Sequence, residues 1–210
     1  MIVRLSLVAS LVLCPALASA QSPAQVIEEG ALDRIELFTR TIDKPGATVV
    51  AIVPFDAAAA DLGTGSKEGK QTRQEEAKTM QGEGPRVLSE RFVAALKASG
   101  PFSDVVTLKP GETPPAGALV MTGRFVTLDP GSRTKRYFAG FGAGKSSVKV
   151  AGEVKDAGGK TLATFEQRRI GAMGMGGGDS LGKLMADSRN IGEDLAKFMA
   201  KWARGEKLKD

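Results

Sequence analysis

Between Lys145 and Lys155 apolar and polar residues alternate one for one. Ser146, Val148, Val150, Gly152 and Val154 point one way, and Lys145, Ser147, Lys149, Ala151, Glu153 and Lys155 point the other. A period of two with one apolar face is a β-strand that meets a core on one side and water on the other. Asp156-Ala157-Gly158-Gly159 follows as a turn with glycines where positive φ is needed, and Thr161 to Ile170 returns antiparallel. An apolar sheet face must be covered. The candidate cover is the C-terminal segment. There Leu184, Ser188, Ile191, Leu195, Phe198 and Trp202 step by four and three along one helical face. Asp179 or Ser180 stands at its cap position, Lys197, Lys201 and Arg204 lie where the helix dipole favours cations, and Gly205 stops it.

Upstream, Thr48 to Phe55 is a continuous apolar run rich in β-branched residues, the pattern of a strand buried on both faces. Pro85 suits a first helical turn, and Val87, Leu88, Phe92, Ala95 and Leu96 share one face until Gly100-Pro101. Phe102 to Leu108 and Ala118 to Leu128 read as further strands, separated by the loop of Pro110, Gly111, Pro114 and Pro115. Two stretches are less regular. Val26, Ile27, Leu32, Ile35 and Phe38 approximate helical spacing, although Ile35 to Ile42 also fits a strand, and the expectation is a helix. Residues 56–83 are polar and read as a long loop with a short exposed helix around Gln71 to Met80. The expected fold is α+β: a mixed, mostly antiparallel sheet of about five strands with amphipathic helices on one face. The first strand-helix-strand unit is expected to be a parallel crossover.

The amino terminus reads as an address. Arg4 is a short positive region, Leu5 to Leu13 an apolar one, and Ala18-Ser19-Ala20 supplies the small residues a signal peptidase needs. The apolar run is too short for a transmembrane span, which needs about 20 residues. Residues 1–20 are therefore expected to be a signal peptide cleaved after Ala20. Residues 21–44 form an N-terminal segment, 45–204 a single α+β domain and 205–210 a tail. Cys14 fits a lipid-attachment cysteine poorly, because Leu13 stands where a small residue belongs and Pro15 follows. The expected location is the periplasm.

Composition then excludes chemistry. The chain has no histidine and one cysteine, Cys14. A Ser-His-Asp triad, a Cys-His pair and an imidazole metal site are all impossible. If Cys14 leaves with the signal, the mature chain holds no thiol and no disulfide. Charge is uneven: residues 21–130 hold 12 basic and 15 acidic residues, and residues 131–210 hold 16 basic and 9 acidic. A basic half points to an anionic neighbour, such as a cell-wall polymer, a lipid surface or an acidic protein. Sparse aromatics and export argue against nucleic acid.

Residues 140–146, GFGAGKS, imitate the end of a phosphate-binding loop. The first glycine of that motif falls on Ala139, and an alternating strand follows where a helix is required, so nucleotide binding is rejected. The same stretch carries a resemblance. Arg133 and Arg136, then Gly140, Phe141, Gly142, Ala143, Gly144 and Ser146, followed by Asp156, Gly159 and Leu162, resemble the central motif and hairpin of the domain-of-unknown-function 4410 family of bacterial exported envelope proteins. The resemblance implies an α+β domain in the cell envelope, and it implies neither a reaction nor a catalytic residue.

Other chemistry is weaker. Asp104, Asp129, Glu153, Asp156 and Glu166 are carboxylates available for acid–base work, but no motif fixes their separation. Lys145 with Ser146 or Ser147 lacks the spacing of a serine-lysine pair. Met173 and Met175 are soft donors of the kind that select Cu(I), and more simply hydrophobic anchors in a glycine-rich linker. Arg133, Lys135, Arg136 and Lys145 cluster around Tyr137, Phe138 and Phe141, a cationic and aromatic loop suited to an anionic partner. The expectation is a non-enzymatic envelope domain without cofactor or metal. It would bind an envelope protein or an anionic cell-wall or lipid surface through Arg133, Lys135, Arg136, Tyr137, Phe141 and Lys145, with the residue 56–83 region as a further contact. The alternatives are a small-ligand or metal-binding protein and, behind it, a carboxylate-dependent hydrolase. Amino-terminal sequencing of the exported protein should begin at Gln21, and a chain retaining Met1 or starting at a lipidated Cys14 would refute the cleavage site.

Overall fold

The computed structural model describes residues 22–63, 70–109, 111–131, 145–171 and 180–209. Residues 1–20, with Ala20 and Cys14, lie outside them. Seven strands form one sheet: β1 (Gln25–Glu28), β2 (Arg34–Leu37), β3 (Val49–Ile52), β4 (Asp104–Thr107), β5 (Leu119–Asp129), β6 (Ser147–Lys155) and β7 (Thr161–Ile170). Their order is β1-β2-β7-β6-β5-β3-β4. β3 pairs parallel with β4 and β5, and every other pairing is antiparallel. Helix α1 (Lys70–Ser99) joins β3 to β4 as the expected parallel crossover, and helix α2 (Ser180–Ala203) follows β7. The α+β class with a mixed sheet holds, but the strand count is seven rather than about five.

Both extra strands come from the segment expected to be helical. β1 and β2 form a hairpin, with Ile27 opposite Ile35, and β2 pairs with the outer edge of β7, with Ile35 opposite Phe165. Ile27, Leu32, Ile35 and Leu37 are all buried. Four-residue strands leave too few residues to display a period of two, so helical spacing was imitated by chance. The free edge of β7 decides the outcome by offering backbone partners.

Helix α1 is the second departure. Pro85 lies in the middle of this 30-residue helix rather than at its start. An interior proline removes one backbone hydrogen bond and costs about 3 kcal/mol. Tertiary burial offsets that cost: Ala77 and Met80, upstream of Pro85, are fully buried, and the Gln81 side-chain amide donates to the carbonyls of Ala57 and Ala58. Residues 56–61 are not a free excursion either. Asp56 N–H donates to Gly123 O, Phe125 N–H to Asp56 O and Asp61 N–H to Val126 O, so the chain beyond β3 stays pinned along β5.

The core lies between the sheet and the two helices. Leu184, Ser188, Ile191, Leu195, Phe198 and Trp202 of α2 are buried, as their spacing requires. α1 and α2 cross closely at Gly192, where an added Cβ would lie 2.5 Å from Leu88 O. At the sheet centre Gly123 and Gly152 stand opposite each other, and Gly152 also faces Phe165. The rings of Phe55 and Phe165 occupy the space their side chains would fill: an added Cβ would lie 2.6 Å from Phe55 at Gly123 and 2.5 Å from Phe165 at Gly152. Phe55 stacks on Phe165 at 6.1 Å and meets Phe125 edge-on at 6.5 Å. Phe165 contacts Phe198 at 6.4 Å, and Phe198 stacks on Trp202 at 5.6 Å. A second, smaller apolar cluster of Ala51, Leu108 and Ala118 covers the opposite face of β3, so that strand is buried on both sides as its sequence pattern demands. Gly152→Ala should cost about 1–3 kcal/mol by overpacking. Thermal unfolding followed by circular dichroism should show Tm lower by several degrees, while Gly46→Ala, with nothing within 4 Å, should leave it nearly unchanged.

Candidate functional site at the loop end and open face of the sheet

Of the six nominated binding residues, Arg133, Lys135, Arg136, Tyr137 and Phe141 lie outside the described residues, as do Met173 and Met175. Lys145 is described and half-buried. The sheet nevertheless fixes where the chain departs. Asp129 pairs with Ser147, and Ser147 with Ile170. Gly171 N–H donates to Ser146 O at 2.9 Å, and Gly63 packs against the Asp129 carboxylate. Gly63, Gly131, Lys145 and Gly171 are thus neighbours at one end of the sheet. The described chain breaks off at Gly63, Gly131 and Gly171 and resumes at Lys145 at that end. Asp129 accepts the Gly131 N–H at 2.7 Å, and Asp61 the Gly63 N–H at 2.9 Å. Each Asp turns the chain out of the sheet at a positive-φ glycine.

This end is anchored by a polar network behind it. Asp33 N–H donates to Gln167 Oε1 at 2.9 Å, and Gln167 Nε2 to Asp194 Oδ2 at 3.0 Å. Arg169 reaches the same carboxylate at 2.5 Å, and Arg168 N–H donates to Asp33 Oδ2 at 2.7 Å. The N-terminal hairpin, the end of β7 and α2 are thereby tied at one place. Two turns before Asp194 on α2, burial pushes the Asp187 carboxyl above its ordinary value, against the smaller opposing attraction of Arg169. Its buried Oδ2 has no hydrogen-bond partner among the described residues. Ser146 and Ser147 are buried, and Ser147 Oγ accepts from Arg168 Nε at 3.0 Å, so neither serine is presented as a nucleophile beside Lys145. The strand after Lys145 confirms why the phosphate-loop imitation fails: no helix N-terminus follows it.

The open face of the sheet, opposite the helices, carries a groove of about 490 Å³. Two rows of side chains cross β2, β7, β6 and β5 there. One row is Arg34, Glu166, Ala151 and Arg124, and the next is Glu36, Thr164, Glu153 and Thr122. The sequence nominated Glu153 and Glu166 without a geometry, and the register brings them together with Glu36. Each acid is already paired: Glu166 with Lys149 at 2.7 Å, Glu153 with Lys155 at 2.6 Å and Glu36 with Arg34 at 2.7 Å. The Arg34 hydrogen bond holds Glu36 below the usual carboxylate range. That is the reverse of what a general acid needs. Asp104, paired with Lys97, and Asp156, in the β6–β7 turn, lie elsewhere. Glu36 and Arg124 were missed because only strand register shows that they share this face. Among the described residues no group of three His, Cys, Asp or Glu side chains is placed to hold a metal, and no helix is long and apolar enough to cross a membrane.

The described residues define an α+β protein with one mixed seven-stranded sheet, helices on one face and a polar open face. The chain belongs to the family described as a domain of unknown function (DUF4410), whose model matches residues 50–175. Among solved structures it is similar to the PelC dodecamer from Paraburkholderia phytofirmans, with a TM-score of 0.43, 12% identity and coverage of 77% of this chain and 96% of that one. It is also similar to a Xanthomonas campestris protein of the DUF330 family, with a TM-score of 0.40, 9% identity and coverage of 78% and 91%. No curated protein matches it.

Burial disfavours the charged form of Asp187, so its stabilising protonation is complete at low pH and is lost as pH rises through its raised folded-state value. Asp187→Asn should therefore raise Tm at neutral pH, with the gain shrinking as pH falls towards 4. An equal or growing gain at low pH would refute the assignment.

Proposed function

We propose that the chain is an exported, periplasmic envelope domain without catalytic activity, which binds a protein or anionic polymer partner at the loop end of its sheet. The observation that carries this reading is the meeting of Gly63, Gly131, Lys145 and Gly171 at one sheet end. Gly131 and Lys145, the described residues on either side of the segment holding Arg133, Lys135, Arg136, Tyr137 and Phe141, both stand there. Binding residues concentrate on loops held by a rigid scaffold. The strands below are that scaffold. The basic balance after Gly131 supplies the attraction for an anionic partner. The signal-like residues 1–20 support export, and the absence of histidine, with the pairing of the grouped acids, supports a role in binding.

A second reading, a small-ligand-binding protein, is favoured by the groove on the open face. Crosslinking in intact cells should recover a defined envelope partner with the native chain. The variant carrying Arg133→Glu, Lys135→Glu and Arg136→Glu should lose at least about nine-tenths of that yield at equal expression. Recovery of the same partner in the same yield would remove the loop end from the interface.

A further inference from the structure

We propose that the groove on the open sheet face binds a carboxylate-bearing saccharide unit with Arg124 as its anion anchor, which deepens the small-ligand reading and rests on it. Among the described residues, the charges that line the groove are paired in advance except that of Arg124. Arg34 is held by Glu28 at 2.6 Å and Glu36 at 2.7 Å, Glu166 by Lys149 and Glu153 by Lys155. The Arg124 side chain is exposed and has no hydrogen bond or ion pair among the described residues. The acid beside it, Asp56, is paired across from it in a parallel bridge but turns Oδ1 to the Ala58 N–H at 2.9 Å. One guanidinium fork is therefore left open at the rim of a groove of about 490 Å³. That volume lies in the range of small-molecule sites.

The surroundings restrict what the fork would hold. Next to Arg124 in its row is Ala151, whose small side chain leaves space before Glu166, two strand spacings or about 10 Å away. The adjoining row offers Thr122, Glu153, Thr164 and Glu36. Glu153 is oriented by the Thr161 hydroxyl at 3.0 Å and Glu36 by the Thr164 hydroxyl at 3.2 Å. Glu36 Oε1 is filled by two Arg34 N–H groups, but Glu36 Oε2 and both Glu153 oxygens keep a further lone pair, so they are fixed acceptors for ligand hydroxyls. A carboxylate matches the planar fork of Arg124 through two parallel hydrogen bonds. A doubly charged phosphate would sit beside three acids with, among the described residues lining the groove, one free cation to meet it. Phe165 packs its ring into the core against Phe55, so the groove has no aromatic platform and recognition falls to hydrogen bonds. One negative charge on a hydroxyl-rich frame is the chemistry that fits.

The test uses the mature chain, residues 21–210, titrated with digalacturonate and with its neutral galactose counterpart. Binding is read from the amide NMR shifts of Thr122, Ala151 and Thr164. The acidic disaccharide should give saturable shifts at these amides, and the neutral one should bind at least tenfold more weakly. Arg124→Ala, an exposed position, should keep the native Tm and lose at least tenfold in affinity. The Arg133, Lys135 and Arg136 charge-reversal variant should bind digalacturonate within about twofold of the native chain, which separates this groove from the loop-end interface. Absence of saturable groove shifts, or native affinity in Arg124→Ala, would overturn the proposal. Loss of binding in the loop variant alone would move the anion to the loop end and overturn it as well.

Discussion

Two glycines in register carry the architecture. Gly123 of β5 and Gly152 of β6 leave a hollow on the core face of the sheet, and Phe55 and Phe165 fill it. A fully buried aromatic side chain contributes on the order of 2–3 kcal/mol by burial, and aromatic pairs add about 0.5–1.5 kcal/mol. Here the gain depends on the backbone, because any Cβ at either glycine collides with a ring. From that point a chain of ring contacts runs through Phe198 to Trp202, coupling the centre of the sheet to the last turns of α2. Glycine in a strand is costly in isolation, by about 0.5–1 kcal/mol relative to alanine. The aromatic column explains why two are placed side by side.

The same strands shape the opposite face. Residue alternation puts Ala151 beside Gly152 but pointing outward, between Glu166 and Arg124. A small residue there opens a groove where a large one would close it. The charged side chains around it are mostly spent on one another, and exposed pairs of this kind add little stability each. Their consequence is geometric: they hold the acids in fixed positions and leave Arg124 open.

At the loop end the organising element is polar and largely buried. Asp33, Gln167, Arg169 and Asp194 join the N-terminal hairpin, β7 and α2. Removing one partner from such a network leaves a buried polar group unsatisfied, at a cost of about 1–3 kcal/mol. Asp187 is the dissonant member, a partly buried carboxyl whose inner oxygen has no partner among the described residues.

The elements legible in the sequence were those with long, one-sided patterns. β6 and β7, facing a core on one side only, show their alternation, and α2 buries the six residues its spacing selects. β3 shows the unbroken apolar run of a strand covered on both faces, by Val50 and Ile52 on one side and Ala51 on the other. Short or polar elements were not legible. β1 and β2 have four residues each, and their identity comes from pairing with β7. The first half of α1 reads as a polar loop with only a short exposed helix around Gln71 to Met80, and it runs on as one helix through Pro85 with Ala77 and Met80 buried rather than exposed. By itself the sequence determined the α+β class, the C-terminal hairpin and helix, the family motif and the exclusion of histidine chemistry, because these follow from local period and residue type. Only the tertiary structure decided the seven-strand order, the meeting of Gly63, Gly131, Lys145 and Gly171 at one end and that of Glu36, Glu153, Glu166 and Arg124 on the open face. Those depend on register between strands far apart in the chain, and local sequence does not encode which residue will stand opposite which.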